Sequence, residues 1–234
     1  MSTPSDQSGR ARPSTTQQPQ EPSGASGLYV AVAGNIGAGK SALTKLLAER
    51  YHLSPVFEAV DENPYLEDFY ADMRRYAFHS QMFFLATRLR QHLRQVNPGL
   101  RVIQDRTVYE DSAIFARLLR DDGVMDERDH DSYTTMYDAV SAALRPPDLL
   151  IYLRASLPTL KRHIRQRGRS YEADIDDGYL ERLGGLYEGW IEDYTLSPVV
   201  AIPGDDLDFV NDETDLRRVL DLLERNGLTA PIVH

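Results

Sequence analysis

Eight consecutive residues, Gly34, Asn35, Ile36, Gly37, Ala38, Gly39, Lys40 and Ser41, match the pattern G-x-x-x-x-G-K-[ST] without a mismatch. Glycines at this spacing let backbone N–H groups turn inward around phosphate oxygens, and a helix starting at the end of the loop adds a favourable dipole. Lys40 is placed to reach the outer phosphates and the Ser41 hydroxyl to hold Mg²⁺. The motif points to a nucleoside triphosphate and leaves the phosphate acceptor open. The guanine-reading sequence Asn-Lys-x-Asp is absent from the chain, which argues against a GTPase.

Three further groups of residues have types suited to the acceptor side. Glu58 closes the apolar stretch Pro55-Val-Phe-Glu58, where a carboxylate can take a proton from an attacking hydroxyl. Asp105-Arg106-Thr107 follows the next such stretch, Leu100 to Asp105. Asp105 there suits Mg²⁺, directly or through water, and Arg106 suits a pair with Glu58 and a contact to the acceptor hydroxyl. Tyr70, Gln81 and Arg88 are eleven and seven residues apart, so they share one stripe if the segment 64–97 is a single helix. The Gln81 amide offers a donor and an acceptor together, as a nucleobase edge requires. Phe78, Phe83 and Phe84 beside it are expected in the core.

The elements that must carry these residues alternate along the chain. Strand-like segments at Leu28 to Ala33, Pro55 to Glu58, Leu100 to Asp105, Leu149 to Leu153 and Val199 to Ile202 are separated by helical patterns over 41–51, 64–97, 108–121, 126–144, 157–167, 178–194 and 212–226. Strands alternating with helices imply an α/β domain with a mostly parallel sheet covered on both faces. Ligands of such sheets sit beyond the carboxyl ends of the strands, where the phosphate motif, Glu58 and Asp105 all fall. Residues 1–27, rich in Ser, Thr, Pro, Gln and Gly, read as a disordered tail ahead of a domain over 28–234.

Composition narrows the classes further. With 41% apolar and 26% charged residues the chain is that of an ordinary globular protein, and it has no apolar run long enough to span a bilayer. The absence of cysteine excludes disulfides, thiolate zinc sites and a cysteine nucleophile, and agrees with a cytoplasmic location. A net charge of −10 disfavours nucleic acid as a partner. Against that background the basic run Lys161-Arg-His-Ile-Arg-Gln-Arg-Gly-Arg169 suggests a small anionic ligand rather than a solvated helix face.

Taken together, these residues resemble the deoxynucleoside kinase family, in particular its bacterial deoxyadenosine and deoxyguanosine kinase branch. The resemblance runs from about Leu28 to about Gly227. It is carried by Gly34 to Ser41, Glu58, Asp61-Glu-Asn-Pro-Tyr-Leu-Glu-Asp-Phe-Tyr70, Gln81, Arg88, Gln104-Asp-Arg-Thr-Val-Tyr-Glu-Asp111, Arg167-Gly-Arg169 and Asp208-Phe-Val210. It implies a three-layer P-loop kinase fold: a five-stranded parallel sheet, helices on both faces, and a helical lid over about 161–175, usually in a homodimer. In that family Glu58 would be the base for the 5′-hydroxyl, with Arg106 on the same oxygen. Tyr70 and Glu172 would hold the sugar 3′-hydroxyl, and Gln81, Arg88 and Asp111 would read the base. Asp105 and Ser41 would serve Mg²⁺, Arg167 and Arg169 would close over the phosphates of ATP, and Asp208, Phe209 and Val210 would lie beside its adenine. An acid at Asp111 leans towards deoxyadenosine, with deoxycytidine or deoxyguanosine next, because an acceptor there suits an exocyclic amine. Relatives usually carry an arginine where this chain has His163, which is expected to be a solvated helix residue, with Arg162 or Arg165 as substitutes.

Two other readings compete. A nucleoside monophosphate kinase would present an acceptor phosphate to Glu58, which repels it. A catalytically inactive kinase-like subunit has no need of Lys40, Ser41, Glu58, Asp105 and Arg106 together.

Overall fold

The structure is a computed structural model that describes residues 27–58 and 60–229. The tail expected over 1–27 lies, apart from Gly27, outside the described residues. Five strands form one parallel sheet in the order β2-β3-β1-β4-β5: β1 Tyr29–Gly34, β2 Ser54–Val56, β3 Val102–Asp105, β4 Leu149–Arg154 and β5 Val199–Pro203. The register sets Val32 opposite Asp105 and Gly34 opposite Leu153, so the carboxyl ends of β1, β3 and β4 share one edge.

Both faces of the sheet are covered, and the period of two along β1 divides them. Val30 and Val32 pack into one core with Leu43 and Leu47 of α1 (Lys40–Tyr51) and Val219 and Leu223 of α9 (Glu213–Arg225). Tyr29, Ala31 and Ala33 pack into the other with Ile114, Leu118 and the Leu183 and Tyr187 side chains of α8 (Asp177–Glu192). Burial of each such aliphatic side chain contributes about 1.5–3 kcal/mol, which holds the strand ends in place. The other α-helices among the described residues are α2 (Leu66–Ala71), α3 (Met73–Gln91), α4 (Val108–Glu110), α5 (Arg117–Asp121), α6 (Glu127–Ser141) and α7 (Leu157–Arg167). A wide π-helical turn over Asp111–Ala116 joins α4 to α5, and another over His92–Val96 extends α3.

Two expectations are corrected. The segment 64–97 is not one helix: it breaks at Asp72, whose backbone is non-helical (φ −145°) and whose side chain accepts a hydrogen bond from Arg75 N at 3.2 Å. A capping aspartate satisfies an otherwise unpaired N–H of a new helix, which favours a fresh start over continuation. Tyr70 therefore lies on α2, while Gln81 and Arg88 lie on α3, and the shared stripe includes only the last two. β2 is also shorter than expected, and Glu58 stands two residues beyond its end at Val56.

Candidate active site

The loop between β1 and α1 is held from both sides. Gly34 adopts φ +148°, and a Cβ there would come 2.7 Å from the Leu153 carbonyl oxygen on β4. Gly37, at φ +82°, leaves a Cβ no room beside the Leu160 carbonyl oxygen at 2.8 Å, so α7 packs directly on the loop. Asn35 donates to the Leu180 carbonyl at 2.8 Å and accepts from Ile36 N at 2.7 Å. The Lys40 ammonium donates to the Asn35 carbonyl at 3.0 Å. Burial lowers the Lys40 pKa to about 8, and the nearby Arg106 charge acts in the same direction.

Beyond the loop opens a cavity of about 380 Å³. Its walls bring together Ile36, Gly37, Gly39, Lys40, Ser41, Glu58, Tyr70, Gln81, Arg88, Asp105, Arg106, Asp111, Arg167, Arg169 and Glu172. Glu58 stands between two guanidinium groups: Arg88 donates to its Oε1 at 3.0 Å, and Arg106 Nε lies 3.2 Å from its Oε2. Burial alone would raise the Glu58 pKa, but Arg106, Arg88 and Lys40 overcome it and hold the carboxyl at about 2. Arg88 also donates through Nε to Asp111, and its guanidinium rests over the Phe84 ring at 5.2 Å. Phe84 thus lines the cavity rather than lying wholly in the core. The Gln81 side chain is buried and its carbonyl oxygen has no partner among the described residues.

Arg106 has φ +66°, a left-handed conformation that costs a non-glycine residue about 1–2 kcal/mol. Its N–H donates to the Val32 carbonyl at 3.0 Å, and its guanidinium lies 4.2 Å from the centroid of Phe115. Asp105 closes β3 almost fully buried; one carboxylate oxygen accepts from the Ser41 hydroxyl, and the other has no partner among the described residues. Burial raises the Asp105 pKa against the opposing pull of Lys40. An orphaned buried carboxylate oxygen beside a hydroxyl, at the foot of a phosphate loop, is a donor set that fits Mg²⁺. No group of three or more His, Asp or Glu side chains among the described residues could hold a metal alone. Mg²⁺ bound through one carboxylate and substrate phosphates does not need one.

The basic segment after α7 is tied to acids. Arg167 pairs with the buried Glu172, and Arg169 reaches Asp61 at 3.0 Å and Glu172 at 3.5 Å. Tyr171 stacks on Tyr70 with ring centroids 5.8 Å apart and donates to Asp61 at 3.3 Å. His163 is not the solvated residue expected from sequence: it lines the cavity, with Nδ1 2.8 Å from the Gly37 carbonyl oxygen. Arg162 and Arg165 are exposed, so neither takes its place in the wall. Gly34, Asn35 and Ala38 do not line the cavity, and neither do Asp208, Phe209 and Val210. Phe209 is buried and its ring lies 3.4 Å from where a Gly39 Cβ would sit, while Val210 is exposed.

Sequence reasoning gave no role to Asp61, Glu110 or Tyr171. For Glu110 a signal existed, since Thr107-x-x-Glu110 is a helix-capping pattern, and both of its reciprocal bonds are present.

A parallel sheet with a phosphate loop at its edge and a buried acid–arginine pair facing the loop defines a P-loop phosphotransferase. The model of the deoxynucleoside kinase family matches residues 30–226, and the chain belongs to that family. It is 39% identical over 207 residues to the deoxyadenosine/deoxycytidine kinase of Bacillus subtilis (strain 168), covering 88% of this chain and 93% of that one. It is 38% identical over 200 residues to the deoxyadenosine kinase of Lactobacillus acidophilus, covering 82% and 92%. The structure of the deoxyadenosine kinase of M. mycoides with dCMP and a flexible dCDP superposes with a TM-score of 0.74 at 30% identity, covering 86% of this chain and all of that one. The protein is thus a kinase that phosphorylates the 5′-position of a deoxynucleoside.

Proposed function

We propose that the enzyme transfers the γ-phosphate of ATP, with Mg²⁺, to the 5′-hydroxyl of deoxyadenosine. The observation that carries the choice of base is the unpartnered Gln81 carbonyl oxygen in the cavity wall, on the same helix as Arg88 with its Asp111 partner. A buried acceptor without a donor calls for one from the ligand, and the exocyclic amine of adenine supplies it. Deoxycytidine carries an amine as well and stands next; thymidine has none. The names of the two bacterial relatives agree with this order.

Glu58 receives the hydroxyl proton and Arg106 steadies the same oxygen. A carboxylate held at about 2 is ionised throughout the physiological range but is a weak base. It suffices because phosphoryl transfer runs through a loose transition state, in which the attacking hydroxyl sheds its proton late and positioning dominates. Lys40 and the loop N–H groups bind the donor phosphates, and Tyr70 and Glu172 take the sugar 3′-hydroxyl. Asp105 and Ser41 would hold Mg²⁺, which would supply neutralising charge for the phosphates. Arg167 and Arg169 leave their acidic partners to reach the phosphates as the lid closes, which excludes water as a competing acceptor. Asp208 to Val210 form the loop beside the adenine of ATP.

The same reading covers the wider setting: one catalytic domain over residues 28–234, a homodimer, and a cytoplasmic location. Family resemblance supports the dimer, and light scattering of the purified enzyme tests it. No helix among the described residues is long and apolar enough to cross a membrane.

The test is ADP release from Mg-ATP with deoxyadenosine, deoxycytidine, deoxyguanosine, thymidine and deoxyadenosine monophosphate offered separately. Highest kcat/KM with deoxyadenosine is the expected result. Turnover with the monophosphate alone would move the protein to the monophosphate kinases and remove the role of Glu58.

A further inference from the structure

Glu110 is fully buried, and four donors converge on its carboxylate. Oε1 accepts from Thr107 N at 2.8 Å and from the Thr107 hydroxyl at 3.2 Å. Oε2 accepts from the Tyr187 hydroxyl at 2.8 Å and, at a longer 3.4 Å, from Gly34 N. Each oxygen faces one backbone N–H, a group that cannot accept, so both oxygens act as acceptors, while burial opposes the charge and raises the pKa of the carboxyl. Among the described residues no guanidinium or ammonium touches it; Arg106 and Lys40 act on it only through space.

Its position is between the parts that must stay in register. Arg106 holds its left-handed backbone between two anchors. On one side its own N–H binds Val32 of β1, and on the other the Thr107 N–H is turned onto Glu110. The second oxygen of the same side chain reaches the first glycine of the phosphate loop, two residues beyond Val32, and Tyr187 anchors it to α8. We infer that Glu110 is a positioning residue for phosphoryl transfer, holding Arg106 in its left-handed turn and fixing that turn to the phosphate loop.

The inference deepens the function proposed above and rests on it for its kinetic test. Glu110→Gln keeps the size of the side chain but sets an NH₂ group against N–H donors and removes the charge. Displacing Arg106 lowers kcat by on the order of ten- to a hundredfold. The KM values for ATP and deoxyadenosine stay within about threefold, because Arg106 acts chiefly in the transition state. In an Arg106→Lys background the second substitution costs under about threefold more, since both act through one group. A purely structural Glu110 would lower Tm while the two effects on kcat multiplied, and that outcome overturns the inference. Glu110→Asp, too short to span both oxygens' partners, serves if the glutamine variant does not fold. A crystal structure of either variant gives a read-out free of any substrate. Arg106 is expected to leave positive φ and separate from Glu58; an unchanged turn overturns the inference. Absence of wild-type turnover with every deoxynucleoside would instead overturn the proposed function and leave this structural read-out standing.

Discussion

Arg106 Nε stands 3.2 Å from Glu58 Oε2, so a carboxylate and a guanidinium in the cavity wall are already paired. Arg88 completes the arrangement from α3 at 3.0 Å. The charge on Glu58 is therefore stabilised before any substrate binds, and under the proposed function the 5′-hydroxyl would meet a preorganised pair rather than create it.

Removing that carboxylate tests its role directly. Glu58→Ala is expected to lower kcat by ~10²–10⁴, the range for loss of a proton acceptor, with ATP affinity by calorimetry little changed. Near-normal turnover would exclude Glu58 as the acceptor of the hydroxyl proton.

Glu58 also shapes the acid stability. Its folded pKa of about 2 lies below the usual 4.5, so between those values the unfolded chain binds more protons. Its contribution is fully present above pH 4.5 and is lost as pH falls through 2. The loss amounts to on the order of 3 kcal/mol. Denaturant melts of wild type and Glu58→Gln between these pH values should show the variant with the flatter acid limb; parallel curves would contradict the strength of the Arg88 and Arg106 pairs.

Lys40 gives the opposite limb. Burial holds it at about 8 against 10.5, so the empty enzyme carries the cost of a buried ammonium below pH 8 and sheds it as pH rises towards 10.5. Lys40→Met is expected to remove this rise in stability, read by thermal melts of the nucleotide-free protein, and to abolish measurable turnover. A wild-type stability that falls in step with the variant across the window would mean the ammonium is better compensated than the Asn35 carbonyl and the charges of Asp105, Glu58 and Glu110 allow.

Under the proposed function, base choice rests on Gln81 and Asp111. Gln81→Ala removes the unpartnered acceptor and should lower kcat/KM for deoxyadenosine by about 1–3 kcal/mol, or roughly five- to a hundred-and-sixtyfold, with a smaller loss for thymidine. Asp111→Asn should lower it further, because it also leaves the buried Arg88 with Glu58 as its sole carboxylate partner. Equal losses for all nucleosides in the Gln81 variant would show that this residue packs the cavity rather than reads the base.

Much of the site was legible in the order of residues. The phosphate loop, Glu58 and Asp105-Arg106 were found because chemistry in a parallel sheet collects at the carboxyl ends of strands, and strand periods are local. The capping pattern Thr107-x-x-Glu110 was equally visible, though nothing local shows that the same carboxylate reaches Gly34, 76 residues away. Tyr70 lines the cavity from α2, not from one long helix shared with Gln81 and Arg88. Helical spacing over 64–97 was continuous, and only the capping of α3 by Asp72 splits it.

By itself, then, the sequence determined the alternation of strands and helices, the phosphate loop and the kinds of acid and base available, since these depend on short-range sterics and residue type. The tertiary structure decided which groups meet. Arg88 bridges Glu58 and Asp111, 30 and 23 residues away, and His163 turns from solvent to the Gly37 carbonyl 126 residues earlier. Arg106 takes a left-handed turn that its residue type disfavours. Each of these is settled by burial and by the need to satisfy buried polar groups, terms that arise only when distant segments pack.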